Sequence, residues 1–185
     1  MQYNIIIPDT YYITLRDTMV KQLVDKKIKK DTIRIFTDGS FMKKKDGTKC
    51  GYGVHFPNNE LPDMSRKFTY GDSTNQRAEL YAIYKGIKKI ASVYDFNLIE
   101  IYTDSEYSIN SLTKWISGWK RNGWKNAKGH DIANQDIIIK IDEYMQKYPD
   151  KILFTHVRSH TGNNDALSKG NAIADKLATQ GALIE

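Results

Sequence analysis

The sequence predicts an α/β domain: a five-stranded mixed sheet whose first three strands run antiparallel, flanked by helices on both faces. Three observations lead there. Residues 32–70 contain three strand-like segments joined by short links. A helix-period stretch, 74–91, then leads to a fourth strand segment, 98–103, and such a crossover places that strand parallel beside an earlier one. A last strand segment, 151–157, precedes a closing helix, 168–180, giving the order βββαβα(α)αβα.

Each element has a local reason. Thr32-Ile33-Arg34-Ile35-Phe36-Thr37 alternates as a strand. Gly51 to Phe56 and Met64 to Tyr70 are the second and third strands, and Asp46-Gly47 marks the first turn. Leu80, Ile83, Tyr84, Ile87, Ile90 and Ala91 form the apolar stripe of the first long helix. Leu98 to Thr103 is a short buried strand, and Ser105 opens a further helix. Trp115 to Lys125 is aromatic and basic, and Ile132 to Tyr148 is helical by period. A polar loop, 159–170, leads into the final helix. Ahead of all this, Leu15, Met19, Val20, Leu23, Val24 and Ile28 recur at spacings of three and four. They predict an amphipathic helix capped at Asp9 or Thr10 and ending in the basic patch Lys26, Lys27, Lys29 and Lys30. Residues 1–31 are therefore read as a helical N-terminal extension, and 32–185 as the main domain.

Bulk properties narrow the function classes. At 185 residues the chain suits one domain with a modest extension, and 40% hydrophobic content allows a core. No apolar run approaches the roughly 20 residues that span a bilayer. No basic-then-apolar leader opens the chain, and Cys50 is its single cysteine. The expectation is an intracellular protein, cytoplasmic or nuclear, with no internal disulfide and no membrane partner. A net charge of +6 favours a polyanionic partner.

Four acids carry the chemistry: Asp38 in Thr37-Asp38-Gly39-Ser40, Glu79 in Gln76-Arg77-Ala78-Glu79, Asp104 in Tyr102-Thr103-Asp104-Ser105, and Asp175 in Asn171-Ala172-Ile173-Ala174-Asp175. Alone, each has an ordinary reading as a turn, a helix cap or a surface acid. Topology unites them. Asp38 follows the first strand and Asp104 the fourth, so parallel placement sets both at neighbouring C-terminal strand ends, where open α/β sheets form their sites. Glu79 lies one turn into the crossing helix, and Asp175 two turns into the last. Four gathered carboxylates need cations, and they are hard oxygen ligands of the kind magnesium takes. Paired magnesium ions are a known means of cutting a phosphodiester.

At this point the sequence resembles type 1 ribonuclease H, over about residues 32–182. The resemblance rests on Thr37-Asp38-Gly39-Ser40, Thr74-Asn75-Gln76-Arg77-Ala78-Glu79, Tyr102-Thr103-Asp104-Ser105, the Trp-rich run from Trp115 to Lys125, His156-Val157-Arg158-Ser159-His160-Thr161-Gly162 and Gly170-Asn171-Ala172-Ile173-Ala174-Asp175. It looks closest to the eukaryote-like branch, which large DNA viruses also carry. The resemblance implies a ribonuclease H-like fold and hydrolysis of the RNA strand of RNA–DNA hybrids, leaving 5′-phosphate and 3′-hydroxyl ends. It implies two Mg2+ ions, or Mn2+, on Asp38, Glu79, Asp104 and Asp175, with Asp38 bridging. His160 would move protons or aid product release.

The same resemblance implies a set of substrate contacts. Gly39, Ser40, Asn75 and Gln76 would meet the strands in the minor groove. Thr74 and Asn134 would hold a DNA phosphate, and Tyr107, Trp115 and Trp119 would line a deoxyribose channel. Lys120, Arg121, Lys125 and Lys128 would form a basic protrusion. Three departures stand out. Asp72 replaces an arginine of the phosphate pocket. Lys43 and Lys44 replace small residues, so Lys44 would contact a phosphate. Residues 1–31 lack the pattern of a hybrid-binding domain, which predicts modest processivity. The expected partner is the hybrid itself, bound by a monomer with no obligate protein partner.

Overall fold

The computed structural model describes residues 27–45, 47–159 and 164–185. In chain order these form β1 (Ile28–Lys44), β2 (Gly47–His55), β3 (Met64–Lys67), α1 (Asn75–Val93), β4 (Tyr94–Thr103), a short α2 (Glu106–Asn110), a π-helical turn (Ser111–Trp115), α3 (Ile116–Arg121), α4 (Gln135–Lys147), β5 (Ile152–His156) and α5 (Ala166–Ala182). The strand order is β3-β2-β1-β4-β5. β1 to β3 pair antiparallel, while β4 runs parallel to both β1 and β5. The five-stranded mixed sheet expected from the sequence is thus present.

Alternation along β1 splits the core. Ile35 faces α1, where Gly86 passes so close that an added Cβ would stand 2.6 Å from Ile35 Cδ1. Phe36 faces α5, where a Cβ on Gly170 would stand 2.4 Å from its ring. The larger cluster lies between the sheet and the helices α1 and α4, and includes Ile33, Ile35, Val54, Leu80, Ile83, Ile87, Ile101 and Ile138. A smaller one, Phe36, Val157 and Ala174, seats α5 on the opposite face. Glycine thins β2 for that helix: a Cβ on Gly53 would stand 2.3 Å from Ala174 O.

Two strands are longer than alternation suggested. β1 starts at Ile28 rather than Thr32, and β4 at Tyr94 rather than Leu98, because Ile28↔Tyr94, Lys29↔Asp95 and Lys30↔Phe96 extend the parallel ladder. Residues 28–31 are exposed, so backbone pairing holds them without an apolar pattern to announce it. Ile28, Lys29 and Lys30 accordingly belong to a strand, not to the end of a helix. The part of that expected helix before residue 27 lies outside the described residues. Asp38 also sits within β1 rather than beyond its end, since Asp38↔Gly53 continues the ladder with β2. The parallel partner stops earlier, at Phe36↔Tyr102, and Asp38 therefore stands two residues past it, at the open C-terminal edge.

Candidate active site

Asp38 emerges where β4 has ended its pairing with β1, and Asp104 follows the last residue of β4. α1 crosses directly above them. Its approach depends on Gly39: an added Cβ there would meet Glu79 N at 2.3 Å and Ala78 C at 2.7 Å. The glycine therefore sets how near Glu79 comes to Asp38. Asp175 arrives on α5, close enough to act electrostatically on Asp38. Asp104, Asp175 and Glu79 all lie near enough to Asp38 to act on its charge.

Hydrogen bonds fix the carboxylates individually. Gly39 N–H donates to Asp38 Oδ1 at 2.7 Å. Asn75 Nδ2 donates to Glu79 Oε1 at 2.7 Å, and Ser105 Oγ donates to Glu79 Oε2 at 2.5 Å. Ser105, not Asp104, caps α2, accepting from Ser108 N. Its hydroxyl thus joins the start of that helix to Glu79. Asn171 Nδ2 donates to Asp104 Oδ2 at 3.2 Å. Sequence reasoning gave neither Asn171 nor Ser105 a role at the acids. The signal for Asn171 was available: it precedes Asp175 by one helical turn and so shares its face.

The cluster is under electrostatic tension. Asp38 is only 7% exposed. Burial, and then the nearby charges of Asp104, Asp175 and Glu79, push its carboxyl up to about 8, against the hydrogen bond from Gly39. Glu79 is also raised, first by burial and further by Asp104, while Ser105 opposes the shift. Among the described residues, no Lys or Arg makes a salt bridge to any of the four acids.

This donor set suits hard divalent cations: all oxygen, several charges, one buried carboxylate at the centre. Yet among the described residues no three His, Cys, Asp or Glu groups stand as a ready-made ligand set. Mutual repulsion holds uncompensated carboxylates apart, and a cation between them would reverse that force.

A scan against protein families matches the RNase H model over residues 30–183. This chain belongs to the RNase H family. It is 47% identical over 138 residues to a probable ribonuclease H of Acanthamoeba polyphaga mimivirus, covering 74% of this chain and 59% of that protein. It is 36% identical over 150 residues to ribonuclease HI of Haemophilus influenzae, covering 81% of this chain and 89% of that one. Among solved structures, the RNase H domain of a foamy virus superposes with a TM-score of 0.66 at 29% identity, covering 81% of this chain and 93% of that domain. The chain spans 50% to 59% of the length of its longer curated relatives, the mammalian and mimivirus proteins.

Around the acids, the residues that family resemblance marks for substrate fall into two groups. One lies on the α1 N-terminus, the stretch from Tyr107 to Trp119, Asn134 and β1. Thr74 caps α1 by accepting from Arg77 N, so Thr74, Asn75 and Gln76 occupy a helix N-terminus suited to phosphate. Asn134, in a left-handed conformation at φ 62°, donates to Tyr107 Oη at 2.8 Å. Tyr107 lies edge-on to Trp115, 6.1 Å between ring centroids, and Trp115 meets Trp119 at 5.7 Å. Trp115 ends the π-helical turn and is 41% exposed, so the aromatic wall faces outward. Ser40 Oγ is within 3.4 Å of Thr179 Oγ1, and Lys44 is exposed at the end of β1.

In the other group, Lys120 and Lys125 are already committed within the protein. Lys120 Nζ donates to both oxygens of Asp142, at 3.0 and 2.7 Å, and Gln146 also donates to that carboxylate. Lys125 Nζ pairs with Asp131 at 2.5 Å. Arg121 is exposed and makes no salt bridge among the described residues. Arg121 is therefore less committed within the protein than Lys120. Asp72 is exposed beside Arg77, whose guanidinium pairs with Asp136 at 2.7 Å. His160 lies outside the described residues.

Proposed function

We propose that this protein hydrolyses the RNA strand of RNA–DNA hybrids, with Asp38, Glu79, Asp104 and Asp175 holding two magnesium ions. The observation that carries the reading is the buried, uncompensated Asp38 carboxyl, pushed up to about 8 and surrounded by three further acids within an RNase H fold. Cations bound there would relieve the repulsion that burial and the neighbouring acids impose on Asp38. Bound cations would supply an activated water and neutralise the departing 3′ oxygen, leaving 5′-phosphate and 3′-hydroxyl ends.

The residues themselves position and select. Asp38, inside a paired strand, would be one of the residues that hold the cations. Ser105 and Asn75 orient the two oxygens of Glu79, and Asn171 orients Asp104. The α1 N-terminus and Asn134 present donors to one strand's phosphates, and the Tyr107–Trp115–Trp119 wall excludes the bulk of a 2′-hydroxyl from the DNA side. His160, which the resemblance marks for proton transfer or product release, would carry protons near neutral pH. The His160→Ala enzyme is expected to turn over more slowly without losing activity, and unchanged turnover would remove His160 from the mechanism.

The test of the activity is cleavage of a hybrid labelled on its RNA strand, beside the same sequence as duplex DNA. Cleavage of the RNA strand alone supports the reading. Cleavage of duplex DNA instead would point to a different nuclease on this fold.

A further inference from the structure

One surface outside the acidic site combines aromatic rings with cations. It begins at Tyr70, between the N-termini of α1 and α4, and runs away from the site over both helices. Tyr70 stacks on Tyr81 at 5.4 Å, Tyr81 meets Tyr84 at 5.7 Å, Tyr84 meets Tyr144 at 6.2 Å, and Tyr144 stacks on Tyr148 at 6.5 Å. Cations sit over this row. Lys140 lies 5.8 Å from the Tyr70 ring, Lys85 5.7 Å from Tyr81, Lys88 5.8 Å from Tyr84 and Lys147 5.6 Å from Tyr148.

We propose that this face is a secondary nucleic-acid track, which holds a single-stranded overhang leaving the hybrid. It rests on the hybrid reading above. Four features of this face support it. The track starts beside the α1 N-terminus, since Tyr70 O accepts from Arg77, three residues beyond the Thr74 cap. Its four lysines give it charge complementary to a phosphate chain; acids near it include Asp72, Glu143 and Asp136, and Asp136 pairs with Arg77. Lys88 and Lys147 are exposed, and none of the four lysines makes a salt bridge among the described residues. Finally, the rings restrain the lysine stems, so less side-chain freedom is lost when phosphate binds. A flexible strand can follow the curve of two packed helices, which a stiff duplex does not. Recognition here would be independent of sequence and sensitive to salt.

The test uses the full chain carrying Asp104→Asn to prevent cleavage, with a blunt hybrid and the same hybrid bearing a single-stranded DNA overhang. Kd is measured from about 50 to 200 mM salt. The variant is Lys85→Gln with Lys88→Gln and Lys147→Gln, which removes charge and keeps the aliphatic stems. The expected result is tighter binding of the overhang substrate, and a slope of log affinity against log salt that falls by about 2 in the variant, at about 0.7 per single-strand phosphate contact. Blunt-hybrid affinity should stay unchanged. Equal affinity for both substrates, an unchanged slope, or equal loss on both substrates would each overturn the proposal. Wild-type cleavage of the blunt hybrid reports separately on the catalytic reading, so the two fail independently.

Discussion

Replacing Asp38 with asparagine should stabilise the metal-free protein at alkaline pH. The Asp38 carboxyl is raised from 3.8 to about 8, so the native state binds this proton more tightly than the unfolded chain. Its contribution to stability is fully present below about pH 4. It is lost progressively as pH rises towards 8, because the unfolded chain ionises first. The interval from 3.8 to about 8, at about 1.4 kcal/mol per pH unit, sets a ceiling of about 6 kcal/mol. That is comparable with the whole stability of many domains. The amide introduced by Asp38→Asn cannot ionise, and it also relieves Asp104, Asp175 and Glu79.

Urea unfolding in chelator, at intervals from pH 4.5 to 9, reads the effect. Wild type and Asp38→Asn should nearly coincide at the acid end and diverge by several kcal/mol at pH 8. Millimolar magnesium should then restore much of the wild-type stability and little of the variant's; saturation at a hundred times Kd contributes about 2.7 kcal/mol. Parallel pH profiles in chelator would refute the reasoning, since Asp38 would then carry no abnormal proton.

Other substitutions separate positioning from contact. Gly39→Ala puts a Cβ 2.3 Å from Glu79 N, so α1 must move off β1. Overpacking of about 3 kcal/mol should lower Tm by at least about 5 °C and weaken magnesium binding in titration calorimetry. Lys120→Met strips the partner from Asp142, which is only 8% exposed. With Lys120 itself 39% exposed, the expected cost is about 1–3 kcal/mol in denaturant, with the salt dependence of hybrid binding unchanged. Arg121→Gln should do the reverse, leaving Tm unchanged and reducing the salt slope by about 0.9.

Much of the fold and the candidate site has a local signal in the sequence. The four acids each sit beside a strong local signal: the end of an alternating strand for Asp38 and Asp104, and helical spacing for Glu79 and Asp175. Strand order then placed them together. What pattern did not reveal was held by the backbone or by distant partners. The exposed start of β1 at Ile28 has no apolar face to betray it, and only its ladder with Tyr94–Phe96 defines it. The charge of Lys120 looked available in a basic run, but Asp142 approaches it from a separate helix. Ser105 reads as an ordinary cap in sequence, and only the crossing of α1 shows that its hydroxyl also holds Glu79. The tyrosine row depends on α1 packing against α4, which neither helix's pattern specifies.

The central claim is that these four carboxylates form one cation-dependent centre for cutting RNA in a hybrid. Its most direct test is cleavage of a labelled RNA–DNA hybrid in magnesium by the wild type and by Asp104→Asn, with magnesium binding measured on both. The expected result is RNA-strand cleavage by the wild type, and loss of cleavage with weakened magnesium binding in the folded variant. Full activity of Asp104→Asn, or wild-type cleavage that persists in chelator, would contradict it.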